Sequence, residues 1–224
     1  MSLSNTSQAS EVVVIGGGVI GLSIARALAL RGVRDVLLIE RAKLGAEASS
    51  AAAGMLAPQI EADSIDDFFD LACRSRDLYP DFARALLEET GVDVELDTTG
   101  TLYLALTEHD LRELDDRLAW QTRAGLLVEK LSAAQTLELE PCITARVLGA
   151  LRFPHDMQVE NRRLLSALAN SIQKHGINVR TETIVNSLLI ERGRINGVET
   201  SSGFVRCSTV VVAAGTWTSF APSG

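Results

Sequence analysis

The sequence predicts an α/β fold in which a parallel sheet is backed by helices, and three observations predict it. Val12-Val13-Val14-Ile15 is a continuous β-branched run, the kind found in strands buried on both faces. Gly16-Gly17-Gly18-Val19-Ile20-Gly21 follows and leads into a helical pattern to Arg31, with Leu22, Ile24, Ala25, Leu28 and Ala29 on the side suited to a sheet. Gly32 stands where a helix C-cap belongs, and a second apolar run, Val36-Leu37-Leu38-Ile39, ends at Glu40.

The composition bounds what such a fold can do. At 224 residues the chain has room for one large domain or two small ones. With 46% hydrophobic and 22% charged residues it is neither disordered nor fibrous. Acidic residues outnumber basic ones 29 to 21, for a net charge of −8, and no Lys/Arg cluster opposes that balance, so no nucleic-acid partner is expected. Cys73, Cys142 and Cys207 are far apart and odd in number, which reads as reduced thiols and a cytoplasmic protein. His109, His155 and His175 are equally scattered, and no metal site can be written from them. The stretch from Val12 to Leu30 approaches the ~20 residues of a membrane span, but its glycines and Arg26 argue against insertion. Residues 1–10 are polar and Ser-rich, lack the positive start of a signal peptide, and read as a disordered tail.

Each part of the glycine-rich unit has a role in holding a dinucleotide. Gly16 permits the tight turn out of the strand, Gly18 lets backbone amides approach a pyrophosphate, and Gly21 lets the helix lie close to the strand. The phosphates then face the helix N-terminus at Val19 and Ile20, where unpaired amides and the dipole favour negative charge. Glu40, nineteen residues after Gly21, is placed to accept hydrogen bonds from ribose hydroxyls. Strand, turn, helix, capping glycine, second strand and terminal acid in register make the signal specific. They do not by themselves separate NAD from FAD.

The next segment is unusual. Gly45-Ala46-Glu47-Ala48-Ser49-Ser50-Ala51-Ala52-Ala53-Gly54-Met55-Leu56-Ala57-Pro58-Gln59 is dense in small residues, which allow backbone to pass close to something flat. A plain Ala-rich helix is the alternative, weakened by the glycine and proline at its end.

The glycine-rich unit followed by Ser-Ser-Ala-Ala-Ala-Gly-Met-Leu-Ala-Pro-Gln resembles the FAD-dependent D-amino acid oxidase superfamily, and within it the glycine oxidases of the ThiO type that serve thiamine biosynthesis. The resemblance implies a Rossmann-like FAD-binding domain with part of an α+β substrate domain. It implies dinucleotide contacts from Ile20, Gly21, Glu40, Arg41, Ala48, Ser49 and Ser50, and places Ala53, Gly54 and Met55 beside the isoalloxazine, with Gly54 and Met55 also facing substrate. Val185 corresponds to the family's contact with the adenine end. Val210-Val211-Val212-Ala213-Ala214-Gly215-Thr216-Trp217 resembles its second dinucleotide-contacting strand, which adds Ala214 and Gly215; Trp217 packs near the site or, as a lone aromatic, in plain core.

The remaining chain is read by pattern. Ser64-Ile65-Asp66-Asp67 has the form of a capping box ahead of a helix that Pro80 kinks or divides and Gly91 ends. Strands are expected at Val92 to Leu96 and Thr101 to Leu106, then a charged helix from Glu108 to Ala124 and a short one beginning at Ser132. A helix from Asn161 to His175 and strands at Ile177 to Arg180, Ile184 to Glu191, Ile195 to Thr200 and Phe204 to Cys207 complete the pattern. The expected division is a discontinuous FAD-binding domain, 11–92 and 158–224, around a partial substrate domain, 93–157.

By resemblance the activity is oxidative deamination of glycine or a small D-amino acid, with hydride passing to flavin N5, the imine hydrolysing and dioxygen as acceptor giving hydrogen peroxide. The family's carboxylate-clamping arginine and its tyrosine are expected beyond residue 224, so the chain reads as C-terminally truncated and no catalytic residue is assigned. Arg152, Arg162 and Arg163 read as surface charges rather than clamps. The rivals are a D-amino acid or sarcosine dehydrogenase of the same superfamily, an NAD-linked dehydrogenase, and a non-catalytic FAD-binding fragment. Such a fragment could cover its exposed sheet edge as a homo-oligomer.

Overall fold

The computed structural model describes residues 8–220. In chain order its elements are β1 (Gln8–Ala9), β2 (Val12–Ile15), α1 (Val19–Leu30), β3 (Val36–Ile39), α2 (Ala48–Ala51), β4 (Met55–Leu56), α3 (Pro58–Glu61), α4 (Asp67–Asp77), α5 (Tyr79–Thr90), β5 (Thr101–Ala105) and α6 (Glu108–Arg123). They continue with β6 (Glu129–Ser132), α7 (Ala133–Leu139), β7 (Gly149–Phe153), β8 (Met157–Gln158), α8 (Asn161–Lys174), β9 (Asn178–Arg180), β10 (Val185–Glu191), β11 (Arg194–Thr200), β12 (Gly203–Arg206) and β13 (Thr209–Val212). A 3-10 turn follows at Gly215–Phe220.

Two compact units divide the chain. The first contains residues 8–53, 84–94 and 161–220, the second 54–83 and 95–160. The expected boundaries differ, because 54–83 groups with the second unit rather than with the glycine-rich strand. There β4 pairs with β8, and Gln59 of α3 bonds to Gln121 of α6.

In the first unit a parallel sheet runs in the order β13-β2-β3-β9. Val211, Val14, Leu38 and Val179 form one line across it. Val13, Val14, Leu37 and Leu38 are fully buried, the reason these strands are continuously apolar instead of alternating. Helix α1 buries Leu22, Ala25 and Ala29, and α8 buries Leu164, Leu165, Leu168 and Ile172. A second sheet, β1-β12-β11-β10, packs Val198, Val205 and Cys207 against Val13, Leu37 and Ile39. Each such side chain contributes roughly 1.5–3 kcal/mol relative to exposure. A polar cluster joins the helices: Arg26 of α1 bonds to Glu89 of α5 at 2.6 Å, and Ser171 of α8 bonds to both. His175 Nε2 lies 2.9 Å from the same carboxylate, misaligned for a hydrogen bond.

The second unit is an antiparallel sheet, β5-β7-β6, covered by α6 through Ala105, Leu114, Leu151 and Phe153. Thr107 and Asp110 form a reciprocal cap for α6, as Ser132 and Gln135 do for α7.

Three expectations are corrected locally. The tail expected over 1–10 is ordered from Gln8: Gln8 and Ala9 pair with Val205 and Arg206, and Ser10 is buried; residues 1–7 lie outside the described residues. Val92 to Leu96 is not a strand. Glu95 adopts φ +52°, and pairing is confined to a bridge between Asp97 and Gln158. The cap of α4 is Asp66, not Ser64; its carboxylate accepts the Phe69 amide at 2.7 Å. Pro80 sits in the first turn of α5, where a missing amide costs nothing, so it divides two helices rather than kinking one. Among the described residues no helix is long and apolar enough to cross a membrane, and no His/Cys/Asp/Glu group is arranged to hold a metal.

Candidate functional site

The β2–α1 turn is shaped by missing side chains. Gly16 has φ +111°, and a Cβ there would overlap the Ala213 carbonyl at the end of β13. A Cβ on Gly21 would overlap the Gly16 carbonyl, so α1 can start directly above the turn only if residue 21 is glycine. Gly17 is less constrained, since its Cβ would stand 2.6 Å from Leu44 Cδ2, the movable end of a side chain. At Gly18 the vacant position is 3.0 Å from Ser49 Oγ, which means that the space over this glycine receives a serine hydroxyl from another segment.

Glu40 locks the turn from below. Its two carboxylate oxygens accept the amides of Gly17 at 2.7 Å and Ala42 at 2.8 Å. The acid read as a ribose acceptor is therefore also a brace for the backbone, with lone pairs left over for hydroxyl donors. Ser49 Oγ accepts the Val19 amide at 3.0 Å, while Asn161 Nδ2 donates to the Ser49 carbonyl at 2.7 Å.

Arg41, Glu47 and Trp217 close one side. Arg41 is ion-paired with Glu47 and stacked 3.7 Å over the Trp217 ring, a cation–π contact, and Trp217 Nε1 donates to Glu47 at 3.2 Å. The Arg41 hydrogen bond, then that from Trp217, holds the Glu47 carboxyl below its ordinary range. Trp217 is 43% exposed and belongs to this cluster, not to the core.

These residues surround a cavity of about 370 Å³ within the first unit, inside the usual range for small-molecule sites. Its wall includes Gly16, Gly18, Val19, Ile20, Glu40, Arg41, Ala48, Ser49, Val185, Ala214, Gly215 and Trp217. Gly21 stands behind it as the packing glycine, Ser50 turns back to bond the Glu47 carbonyl, and Ala53 is exposed. Gly54 and Met55 belong to the second unit: Gly54 has φ +78° and its carbonyl accepts the Val159 amide, while Met55 pairs with Gln158 in the β4–β8 ribbon. Among the wall residues with no site role read from the sequence are Glu47, Thr183, Ile184 and Leu188. Only Glu47, a lone acid in a run of small residues, carried a visible signal.

The wall suits a dinucleotide. A helix leaves its first amides without internal partners. Here Val19 is served by Ser49, the Ile20 and Gly21 amides have no backbone acceptor among the described residues, and Val19 and Ile20 line the cavity, so the helix N-terminus there suits an anion. Ile15, Ile39, Val185 and Leu188 give the wall an apolar surface. Fold and site thus define a dinucleotide-binding α/β protein.

The chain belongs to the FAD dependent oxidoreductase family, whose model matches residues 11–223. Its cofactor is FAD. It is 36% identical over 209 residues to the glycine oxidase of Geobacillus kaustophilus, covering 92% of this chain and 55% of that one. It superposes on the crystal structure of glycine oxidase from Bacillus cereus with a TM-score of 0.87 at 34% identity, covering 95% of this chain and 57% of that one. It is also 31% identical to the mouse mitochondrial pyruvate dehydrogenase phosphatase regulatory subunit, over 93% of this chain and 23% of that one. The chain spans about half the length of the glycine oxidases it matches.

Proposed function

We propose that the protein is an amino acid oxidase acting on glycine or a small D-amino acid, with dioxygen as acceptor and a place in thiamine biosynthesis in the cytoplasm. The observation that carries this reading is the cavity wall, in which Glu40, Ser49 and the α1 amides stand ready for a dinucleotide in a chain that is 36% identical to a glycine oxidase. When bound, FAD supplies the redox chemistry, accepting a hydride from the amino acid α-carbon and passing the electrons to dioxygen. This chain's own residues do the binding. The α1 N-terminus and Ser49 meet the phosphates, Glu40 meets the ribose, and Val185 and the Ala213 to Gly215 backbone flank the nucleotide.

A second reading, cofactor binding without turnover by the 224-residue chain, is favoured by one observation. The arginines available as carboxylate clamps are engaged or outward: Arg152 bonds to Glu129 at 2.9 Å and to the Thr99 carbonyl at 2.8 Å, Arg163 to the Asp93 carbonyl at 2.7 Å, and Arg162 is exposed. Gel filtration with FAD, followed by anaerobic glycine, separates the two. Co-eluting flavin absorbance bleached by glycine supports the oxidase; bound flavin that stays oxidised supports binding alone. A folded chain that elutes without flavin overturns both.

A further inference from the structure

Asn161 carries no motif, yet it touches the one segment of the site that cannot hold itself. Helix α2 has four residues and no side-chain cap, too short to be stable alone. Ser49 nevertheless holds its hydroxyl at the N-terminus of α1, 30 positions away in sequence. Its backbone is pinned from 112 positions away, by Asn161 Nδ2 at the first position of α8. Because Ser49 Oγ accepts from Val19, its own proton is left to donate into the cavity.

We infer that Asn161 is a positioning residue for the cofactor phosphates, acting through Ser49. The inference rests on the FAD-binding reading and adds to it a specific dependence of affinity on α8. Released from Asn161, α2 gains conformational freedom, and the hydroxyl occupies its place beside Val19 for a smaller fraction of the time. A merely structural role for Asn161, as a favourable residue at a helix start, makes a different prediction. Aspartate serves that role as well as asparagine does, but an ionised aspartate donates no hydrogen bond.

The test is a double-mutant cycle on the full chain, reading FAD and ADP dissociation constants beside the thermal midpoint. Asn161→Ala is expected to weaken both ligands about fivefold to tenfold, the scale of one lost hydrogen bond. In a Ser49→Ala background the same change is expected to alter affinity less than about twofold, because no hydroxyl remains to be positioned. An equal factor in both backgrounds overturns the inference. Asn161→Asp is expected to lose at least as much affinity as Asn161→Ala, and wild-type binding by this variant also overturns it. A second readout needs no cofactor: amide exchange at Val19 is expected to accelerate in Asn161→Ala and Ser49→Ala alike. If the wild-type chain binds neither FAD nor ADP, the functional reading fails on that result. Val19 exchange then decides the Asn161 tether separately, with unchanged exchange counting against it.

Discussion

Gly16, Gly17 and Gly21 organise their turn through the absence of side chains, whereas Gln59, Gln121 and Asp156 hold α3 in the second unit by carrying them. In the first region a Cβ at Gly16 or Gly21 collides with backbone, and one at Gly17 displaces the end of the Leu44 side chain. In the second, Gln121 donates to the Gln59 carbonyl at 2.8 Å, Gln59 Nε2 bonds to Gln121 at 3.2 Å and to the Leu127 carbonyl at 3.1 Å, and all three side chains are buried. Asp156 receives the Gln59 and Ile60 amides at 3.4 Å and Arg76 at 3.5 Å; these long contacts do not offset desolvation, which pushes its carboxyl above the ordinary range. A site built from backbone tolerates no addition. A segment held by buried side chains tolerates no removal.

The largest expected effect is Gly16→Ala, which combines a left-handed backbone with overlap on Ala213. A loss of about 3 kcal/mol or more is expected in urea unfolding, together with loss of FAD binding. Gln121→Leu leaves the buried Gln59 carbonyl with only the long 3.4 Å contact from Arg117, takes the Gln121 acceptor from Gln59 Nε2, and is expected to cost about 2–3 kcal/mol, read as a lower thermal midpoint. A neutral result there would remove the contrast between the two regions.

Glu89 offers a smaller, pH-dependent effect. Burial pushes its carboxyl up, but hydrogen bonds from Ser171 and Arg26 outweigh it and hold the group below its ordinary value. A depressed carboxyl stabilises the fold above its unfolded pKa, and that contribution is lost as pH falls through the folded value. Glu89→Gln is therefore expected to cost about 1–2 kcal/mol near pH 7 and to flatten the decline of stability on the acid side of pH 4.5, measured by denaturant unfolding across pH. The smallest effect is Gly32→Ala. Gly32 has φ +87° but nothing within 4 Å of a new Cβ, so only the backbone term of about 1 kcal/mol applies. The difference between Gly16→Ala and Gly32→Ala isolates the energy of close approach from that of conformation.

This contrast explains what could be read in advance. Val12–Ile15, Val19–Leu30 and Val36–Ile39 were legible because burial on both faces and helical periodicity are written in adjacent residues. The turn at Gly16 and the close helix start at Gly21 were legible for the same reason, as their spacing is local, whereas the Glu40 brace on Gly17 was not. Strands β6 and β7 were not, because Glu129–Ser132 and Gly149–Phe153 acquire strand character only by pairing with each other and with β5. Val92 to Leu96 misled in the opposite sense, having strand composition but no neighbouring strand apart from the bridge at Asp97.

The sequence by itself determined the parallel sheet and the glycine turn, since steric exclusion and periodicity act over a few residues. Tertiary structure alone decided that Ser49 caps α1, that Asn161 holds Ser49, and that Trp217 meets Arg41 and Glu47. Those contacts join positions 30, 112 and 170 residues apart, and hydrogen bonds over such separations leave no periodic trace in the chain that makes them.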